Sequence, residues 1–147
     1  MNNHSLKSLL LVGGLALAAG APVFGSEAED MFKRMDINGD KKVTSTEHAQ
    51  FAETMFRQSD VDRDSKVSAA ECEAAQANYD KKAKVNKEAT AMHMRLVDTD
   101  NDGQISQGEN ATFARNEFLK ADKNSDGVLN EDEVEDAYKV MKKEMKN

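Results

Sequence analysis

The chain has 147 residues, with 20 Lys and Arg side chains against 27 Asp and Glu side chains and a net charge of −7. This length suits one domain or two small ones, and the acid excess argues against a protein held on nucleic acid by clustered basic residues. The single cysteine, Cys72, excludes an intramolecular disulfide framework and a thiolate zinc cluster. One proline and abundant Ala, Glu, Lys and Met favour helices over strands.

Residues 1–25 differ in composition from the rest of the chain. Lys7 is the only charged side chain before Glu27, and an apolar run rich in Leu and Ala follows it. A short basic start, an apolar stretch and a small-residue tail predict a secretory signal peptide, cleaved before Ser26. An uncleaved anchor is the alternative, but the run is shorter than the roughly 18–20 apolar residues that a span needs. We therefore expect an exported protein, periplasmic or extracellular, with no membrane span after cleavage.

A twelve-residue pattern then occurs four times, at 36–47 (loop 1), 60–71 (loop 2), 98–109 (loop 3) and 122–133 (loop 4). Each copy has Asp first, Asp or Asn third, Asp fifth, a β-branched residue or Leu eighth, a small polar residue ninth and Glu twelfth. In a tightly curled loop, alternate positions point oxygen-bearing side chains toward a common centre, and the seventh supplies a backbone carbonyl. Together these positions offer about six or seven oxygen ligands, which is what a hard cation such as Ca²⁺ requires.

The predicted metal-binding positions are the first, third, fifth, seventh, ninth and twelfth of each loop. They are Asp36, Asn38, Asp40, Lys42, Thr44, Glu47, Asp60, Asp62, Asp64, Lys66, Ser68, Glu71, Asp98, Asp100, Asp102, Gln104, Ser106, Glu109, Asp122, Asn124, Asp126, Val128, Asn130 and Glu133.

These loops resemble the calcium-binding loop of the EF-hand family, and the resemblance covers essentially the whole chain after residue 25. It implies an all-α fold of four helix-loop-helix units in two pairs, with short β contacts between paired loops, as in calmodulin-like proteins. We expect one pair at 26–80, formed by loops 1 and 2, and a second at 81–147, formed by loops 3 and 4. A long central helical segment is expected to join them.

The four loops differ in expected strength. Position 6 needs a left-handed backbone, and it is Gly103 in loop 3 and Gly127 in loop 4 but Lys41 in loop 1 and Ser65 in loop 2. A side chain in that conformation costs about 1–2 kcal/mol. Loops 2 and 3 carry four acidic ligands each, and loops 1 and 4 carry three. We expect loop 3 to bind most tightly and loop 1 most weakly.

The segments between the loops predict helices. Only residues 48–59 separate loops 1 and 2, so a single helix must leave one loop and enter the next. Loops 3 and 4 repeat this arrangement. The stretch from Ser68 to Val97 has no Pro or Gly and predicts one or two helices, with any bend near Asn86.

The loop starts lie 24 residues apart within each expected pair. This spacing, behind a signal peptide of bacterial type, is similar to that of lanmodulin, a periplasmic lanthanide-binding protein. Lanmodulin loops carry Pro at position 2 and typically an acid at position 9, and this chain has neither at any loop. Trivalent ions favour more anionic oxygens, so the sequence favours Ca²⁺, with a lanthanide as the alternative.

The predicted function is Ca²⁺ binding, as a sensor or a buffer, with a Ca²⁺-stabilised structural or interaction module as the alternative. No nucleophile-and-base arrangement, phosphate-binding Gly loop or HExxH motif occurs, so no enzyme is expected. The small supply of apolar side chains predicts that metal binding and folding are coupled, so the metal-free chain is partly unfolded. A sensor would expose apolar side chains to a protein partner, and the candidates are Met55, Phe56, Met92, Met94, Met141 and Met145.

Three further side chains have structural interpretations. His48 and His93 are not spaced as metal ligands and are expected on helix surfaces or partly packed. Cys72 follows Glu71 at the start of a helix and is expected to be a small buried packing residue.

Overall fold

The computed structural model describes residues 26–79 and 87–144. The predicted signal peptide, residues 1–25, lies outside the described residues. No helix in the described ranges is long and apolar enough to cross a membrane. The elements in those ranges are α1 (Ser26–Met35), β1 (Val43–Thr44), α2 (Ser45–Ser59), β2 (Lys66–Ser68), α3 (Ala69–Tyr79), α4 (Lys87–Val97), β3 (Gln104–Ser106), α5 (Gln107–Ala121), β4 (Val128–Leu129) and α6 (Glu131–Glu144).

The helix that follows each loop starts at a hydrogen-bonded cap. At α2 the Glu47 amide donates to Thr44 Oγ1 at 3.2 Å, and the Thr44 amide donates back to Glu47 Oε2 at 2.9 Å. Such a capping box satisfies amides that have no partner within the helix, so it fixes where the helix begins. The same reciprocal bonds recur between Ser68 and Glu71, Ser106 and Glu109, and Asn130 and Glu133.

The strands pair the loops differently from the sequence prediction. β1 of loop 1 pairs antiparallel with β4 of loop 4, with Val43 opposite Leu129. β2 of loop 2 pairs antiparallel with β3 of loop 3, with Val67 opposite Ile105. The expected contacts within the pairs 1–2 and 3–4 were therefore wrong.

Helix length explains this pairing. A single helix of 15 residues, α2, connects loops 1 and 2, and α5 of the same length connects loops 3 and 4. At 1.5 Å per residue each helix is about 22 Å long, so the loops at its two ends are too far apart to share a β contact. Loop 1 instead meets loop 4, and loop 2 meets loop 3, because α2 and α5 lie against each other in opposite directions.

Two hydrophobic cores lie at the two ends of this helix pair. α2 contributes Phe51 to the first core and Phe56 to the second, and α5 contributes Phe118 and Phe113 in the same way. Each core thus combines residues from the ranges 26–80 and 81–147, which the sequence predicted as separate pairs. The first core contains Ala28, Phe32, Met35, Val43, Phe51, Phe118, Ala121, Leu129, Val134, Ala137 and Tyr138, and the second contains Ala52, Phe56, Val67, Cys72, Val97, Ile105, Phe113 and Ala114.

The predicted central segment contains two helices in the described residues, α3 and α4, which is one of the two alternatives that the sequence allowed. Gln76 on α3 donates a hydrogen bond from Nε2 to Thr90 Oγ1 on α4 at 2.7 Å. On a continuous helix these residues would be about 21 Å apart, since each residue adds 1.5 Å. α3 and α4 therefore lie side by side, and this arrangement lets both add apolar side chains to the second core, Cys72 from α3 and Val97 from α4.

Candidate metal centres

All four loops have the same backbone turn. Position 6 has a positive φ in each, at Lys41 (64°), Ser65 (70°), Gly103 (85°) and Gly127 (83°), as the sequence predicted. Position 4 is also left-handed in each loop, which the sequence reasoning missed. The residues at position 4 are Gly39, Arg63, Asn101 and Ser125, with φ between 59° and 75°.

Loop amides hold the first Asp of each loop. In loop 3, the Asp102 amide donates to Asp98 Oδ1 at 3.2 Å and the Gly103 amide donates to Asp98 Oδ2 at 2.9 Å. In the other three loops, too, the amides of positions 5 and 6 donate to the first Asp, at 2.9–3.2 Å. The backbone therefore fixes the carboxylate that starts each candidate site.

The side chains at positions 3 and 5 accept hydrogen bonds from amides two residues further on. In loop 2 the Asp64 amide donates to Asp62 Oδ1 at 3.1 Å, and the Lys66 amide donates to Asp64 Oδ1 at 2.8 Å. Loops 1, 3 and 4 have both bonds at 2.8–3.1 Å, with Asn38 and Asn124 accepting through their amide oxygens. These bonds fix the orientation of the oxygen-bearing side chains at positions 3 and 5 of each loop.

The twelfth residue ties the start of the loop to the helix that follows it. Glu109 Oε1 accepts from the Thr99 amide at 2.7 Å, while its Oε2 accepts from the Ser106 amide at 2.9 Å. Burial works to raise the pKa of Glu109, but the hydrogen bonds from Ser106 and Thr99 outweigh it and lower the pKa to about 2. Hydrogen bonds from Thr44 and Ser68 similarly lower the pKa of Glu47 and Glu71. These glutamates are therefore anions at neutral pH.

The residues at position 9 act as helix caps. The hydroxyl groups of Thr44, Ser68 and Ser106 each donate to the Glu of their own loop at 2.8 Å. The sequence predicted position 9 as a ligand position, and the capping box was missed. A Ser or Thr followed three residues later by Glu was the signal for it.

Acidic oxygens converge most closely in loops 2 and 3. One carboxylate oxygen each from Asp60, Asp62 and Glu71 lies within 4.8 Å of the others, and Asp98, Asp100 and Asp102 form a second such group. Two oxygens that each lie about 2.4 Å from one calcium ion are at most about 4.8 Å apart, so the oxygen separations in both groups are compatible with one shared calcium ion. Asp64 and Glu109 are not in these groups, and loops 1 and 4 form no comparable three-acid group among the described residues.

In three of the four loops the residue at position 7 has no side-chain oxygen, so its backbone carbonyl is the only oxygen that it can offer to a metal ion. Lys66, Gln104 and Val128 each begin the strand of their loop, and Lys42 directly precedes β1. The first Asp of loops 3 and 4 and the closing Glu133 are buried. Asp100, Asp102, Asn124 and Asp126 are exposed, and the other predicted ligands of these two loops are half-buried.

One of these loops matches a known protein family. The family model described as EF hand matches residues 93–109, which span the end of α4 and all of loop 3. No curated protein and no solved structure matches the chain. An EF hand binds calcium, so the match and the acidic groups together indicate metal binding by this protein.

The two histidines are more deeply buried than the sequence suggested. His48 packs edge-on against Phe118 with ring centroids 5.7 Å apart, and His93 packs against Phe113 at 5.9 Å. Burial lowers the pKa of each histidine to about 4. Cys72 is buried and free, as expected, and burial raises the pKa of its thiol to about 11.

The side chains proposed to meet a partner are mostly covered in this structure. Phe56 is buried, and Met55 and Met94 are partly buried against the cores. Met92 is half-buried. The side chains of Met141 and Met145 lie outside the described part of the chain.

Proposed function

We propose that this protein binds calcium reversibly at four EF-hand loops after export from the cytoplasm. One observation carries the proposal: the same amide bonds to the first Asp, the same left-handed positions and the same Glu closure recur in all four loops. The family model matches loop 3 alone, and the shared geometry extends the interpretation to the other three.

Calcium suits the donor set better than the alternatives. Every candidate ligand in the four loops is an oxygen atom, which a hard cation prefers to nitrogen or sulfur. No loop has an acid at position 9, and the residue there caps a helix instead. A lanthanide is the alternative ion, favoured by the four carboxylates of loops 2 and 3.

A calorimetric titration with Ca²⁺, Mg²⁺ and La³⁺ tests the proposal. We expect Ca²⁺ to bind in preference to Mg²⁺, and Glu109→Gln to remove or strongly weaken one site, because it takes the anionic closing ligand from loop 3. Glu53→Gln is the matched control, since Glu53 lies on α2 and pairs with Arg57 rather than with a loop. No binding of Ca²⁺ by the wild-type protein would refute the proposal, and saturation by La³⁺ without measurable Ca²⁺ binding would favour the lanthanide alternative.

The role as sensor or buffer depends on what calcium does to the apolar surface. A sensor would release side chains such as Phe56 from the cores and bind an apolar dye more strongly with Ca²⁺ than with chelator. A buffer or structural binder would gain helix on adding Ca²⁺ without binding more dye. Circular dichroism and dye fluorescence, measured on the same samples, separate these roles. We propose no catalytic activity.

Export can be tested separately. Mass spectrometry of the protein recovered from outside the cytoplasm should find a mature chain that begins at Ser26. A full-length chain retained in the cytoplasm would contradict this part of the proposal without affecting calcium binding.

A further inference from the structure

An ion pair links the two loops that β2 and β3 bring together. Lys66 Nζ lies 2.6 Å from Asp102 Oδ2, and the two residues are 36 positions apart in the chain. Lys66 is position 7 of loop 2, whose backbone carbonyl is a candidate ligand there. Asp102 is position 5 of loop 3, whose carboxylate is a candidate ligand of that loop. One side chain from loop 2 thus contacts a ligand of loop 3.

The Lys66 ammonium contacts the oxygen of Asp102 that the loop does not use. Asp102 Oδ1 accepts the Gln104 amide at 2.8 Å, which leaves Oδ2 for a cation. The hydrogen bond and the charge of Asp102 raise the pKa of Lys66, and the charges of Asp100 and Asp64 add to this effect. The ammonium therefore lies in the negative field of both loops. A metal ion bound to loop 3 would be attracted by the same Asp102 carboxylate.

The corresponding lysine of the other loop pair makes no such contact. Lys42 is position 7 of loop 1, facing loop 4, and no ion pair involves it within residues 26–79 and 87–144. In loop 4 the oxygen equivalent to that of Asp102 is Asp126 Oδ2, which accepts from Asn124 Nδ2 of its own loop at 3.1 Å. At position 3, where loop 4 has Asn124, loop 3 has Asp100, and an ionised carboxylate cannot donate a hydrogen bond. Asp102 is thus left with an oxygen that Lys66 can reach.

We propose that Lys66 is an internal competitor for the ion at loop 3. A metal ion entering loop 3 displaces the Lys66 ammonium from Asp102, so loop 3 binds less tightly than its four carboxylates alone would allow. This inference rests on the proposed calcium binding.

The test compares Lys66→Met with Lys139→Met in calorimetric Ca²⁺ titrations. Lys139 also pairs with a carboxylate, Glu135, at 2.8 Å on α6, but that carboxylate is not a candidate ligand. We expect Lys66→Met to tighten binding at loop 3 by about three- to tenfold, since it removes a partly exposed ion pair and a repelling charge. Lys139→Met should leave the titration unchanged. Lys66→Arg, which keeps the charge, should not show the gain in affinity expected for Lys66→Met.

Two further measurements assign the effect to loop 3 and to charge. The gain from Lys66→Met should persist when loop 2 is disabled by Glu71→Gln and vanish when loop 3 is disabled by Glu109→Gln. It should also shrink in 1 M KCl, because salt screens exposed charges. Unchanged or weaker Ca²⁺ binding by Lys66→Met, or a gain that survives Glu109→Gln, overturns the inference while leaving the proposed function intact. Absence of Ca²⁺ binding in the wild type would instead refute the proposed function, and the inference with it.

Discussion

His93 should make the stability of the protein depend on pH between about 4 and 6.5. It is 6% exposed on α4, and its ring lies edge-on to Phe113. Its Nδ1 has no hydrogen-bond partner in the described part of the chain. A proton added at this nitrogen would place a charge in the second core with no acceptor beside it, which is why burial lowers the pKa from 6.5 to about 4.

The sign and size of the effect follow from these two pKa values. Above pH 6.5 the histidine is neutral in both the folded and the unfolded chain, so it does not change the free energy of unfolding. Between pH 6.5 and about 4 the unfolded chain takes up a proton that the folded chain rejects, so stability falls as the pH falls. The total loss is about 3 kcal/mol, and the slope near pH 5.25 is about 1.2 kcal/mol per pH unit.

Urea unfolding of the calcium-saturated protein at several pH values between 7.5 and 4.8 measures this slope. His93→Phe and His93→Gln both remove the titrating group, so each should lower the slope by about 1.2 kcal/mol per pH unit, although their stabilities at pH 7.5 will differ. Carboxylates contribute equally to all three proteins and cancel in the comparison. An unchanged slope in both variants would refute the reasoning, because His93 would then titrate alike in the folded and unfolded chains.

Three other substitutions have definite expected outcomes. Ser65→Gly should stabilise the folded protein by about 1 kcal/mol in urea unfolding, because Ser65 has a φ of 70°; no gain would show that loop 2 is unstrained. Ser106→Ala should lower the thermal midpoint by removing a capping box worth about 1 kcal/mol, and an unchanged midpoint would contradict that role. Phe113→Ala should cost about 3–5 kcal/mol in urea unfolding while keeping one transition, since α5 joins both cores; two transitions would mean that the cores unfold independently.

The loops could be predicted from the sequence because their geometry is local. The first Asp, the position 6 residue and the closing Glu act within twelve residues, so their spacing alone predicts the loops and the left-handed position 6. The positions of the helices followed in the same way. The left-handed position 4 was missed because four different residues occupy it, of which only Gly39 favours that conformation without a side chain.

The pairing of the loops was predicted wrongly because it is not local. It depends on the length of α2 and α5 and on their antiparallel packing, where Asn110 Nδ2 donates to the Ala52 carbonyl at 3.3 Å. The length was readable from the sequence, but the resemblance to paired EF hands suggested neighbouring loops as partners. The side-by-side packing of α3 and α4 had no Gly or Pro signal between Ser68 and Val97. The burial of His48 and His93 also depends on α5, which is distant in sequence.

The pairing of loop 1 with loop 4 has a consequence for how the chain is made. Val43 meets its strand partner only at Leu129, 86 residues later. The first core, which contains both Phe32 and Tyr138, cannot close during synthesis until the chain has been produced as far as Tyr138. Contacts this distant slow folding, so the emerging chain stays open for longer than one built from neighbouring loop pairs. The proposed export would benefit from that delay, because a polypeptide must be unfolded while it is threaded through a membrane pore.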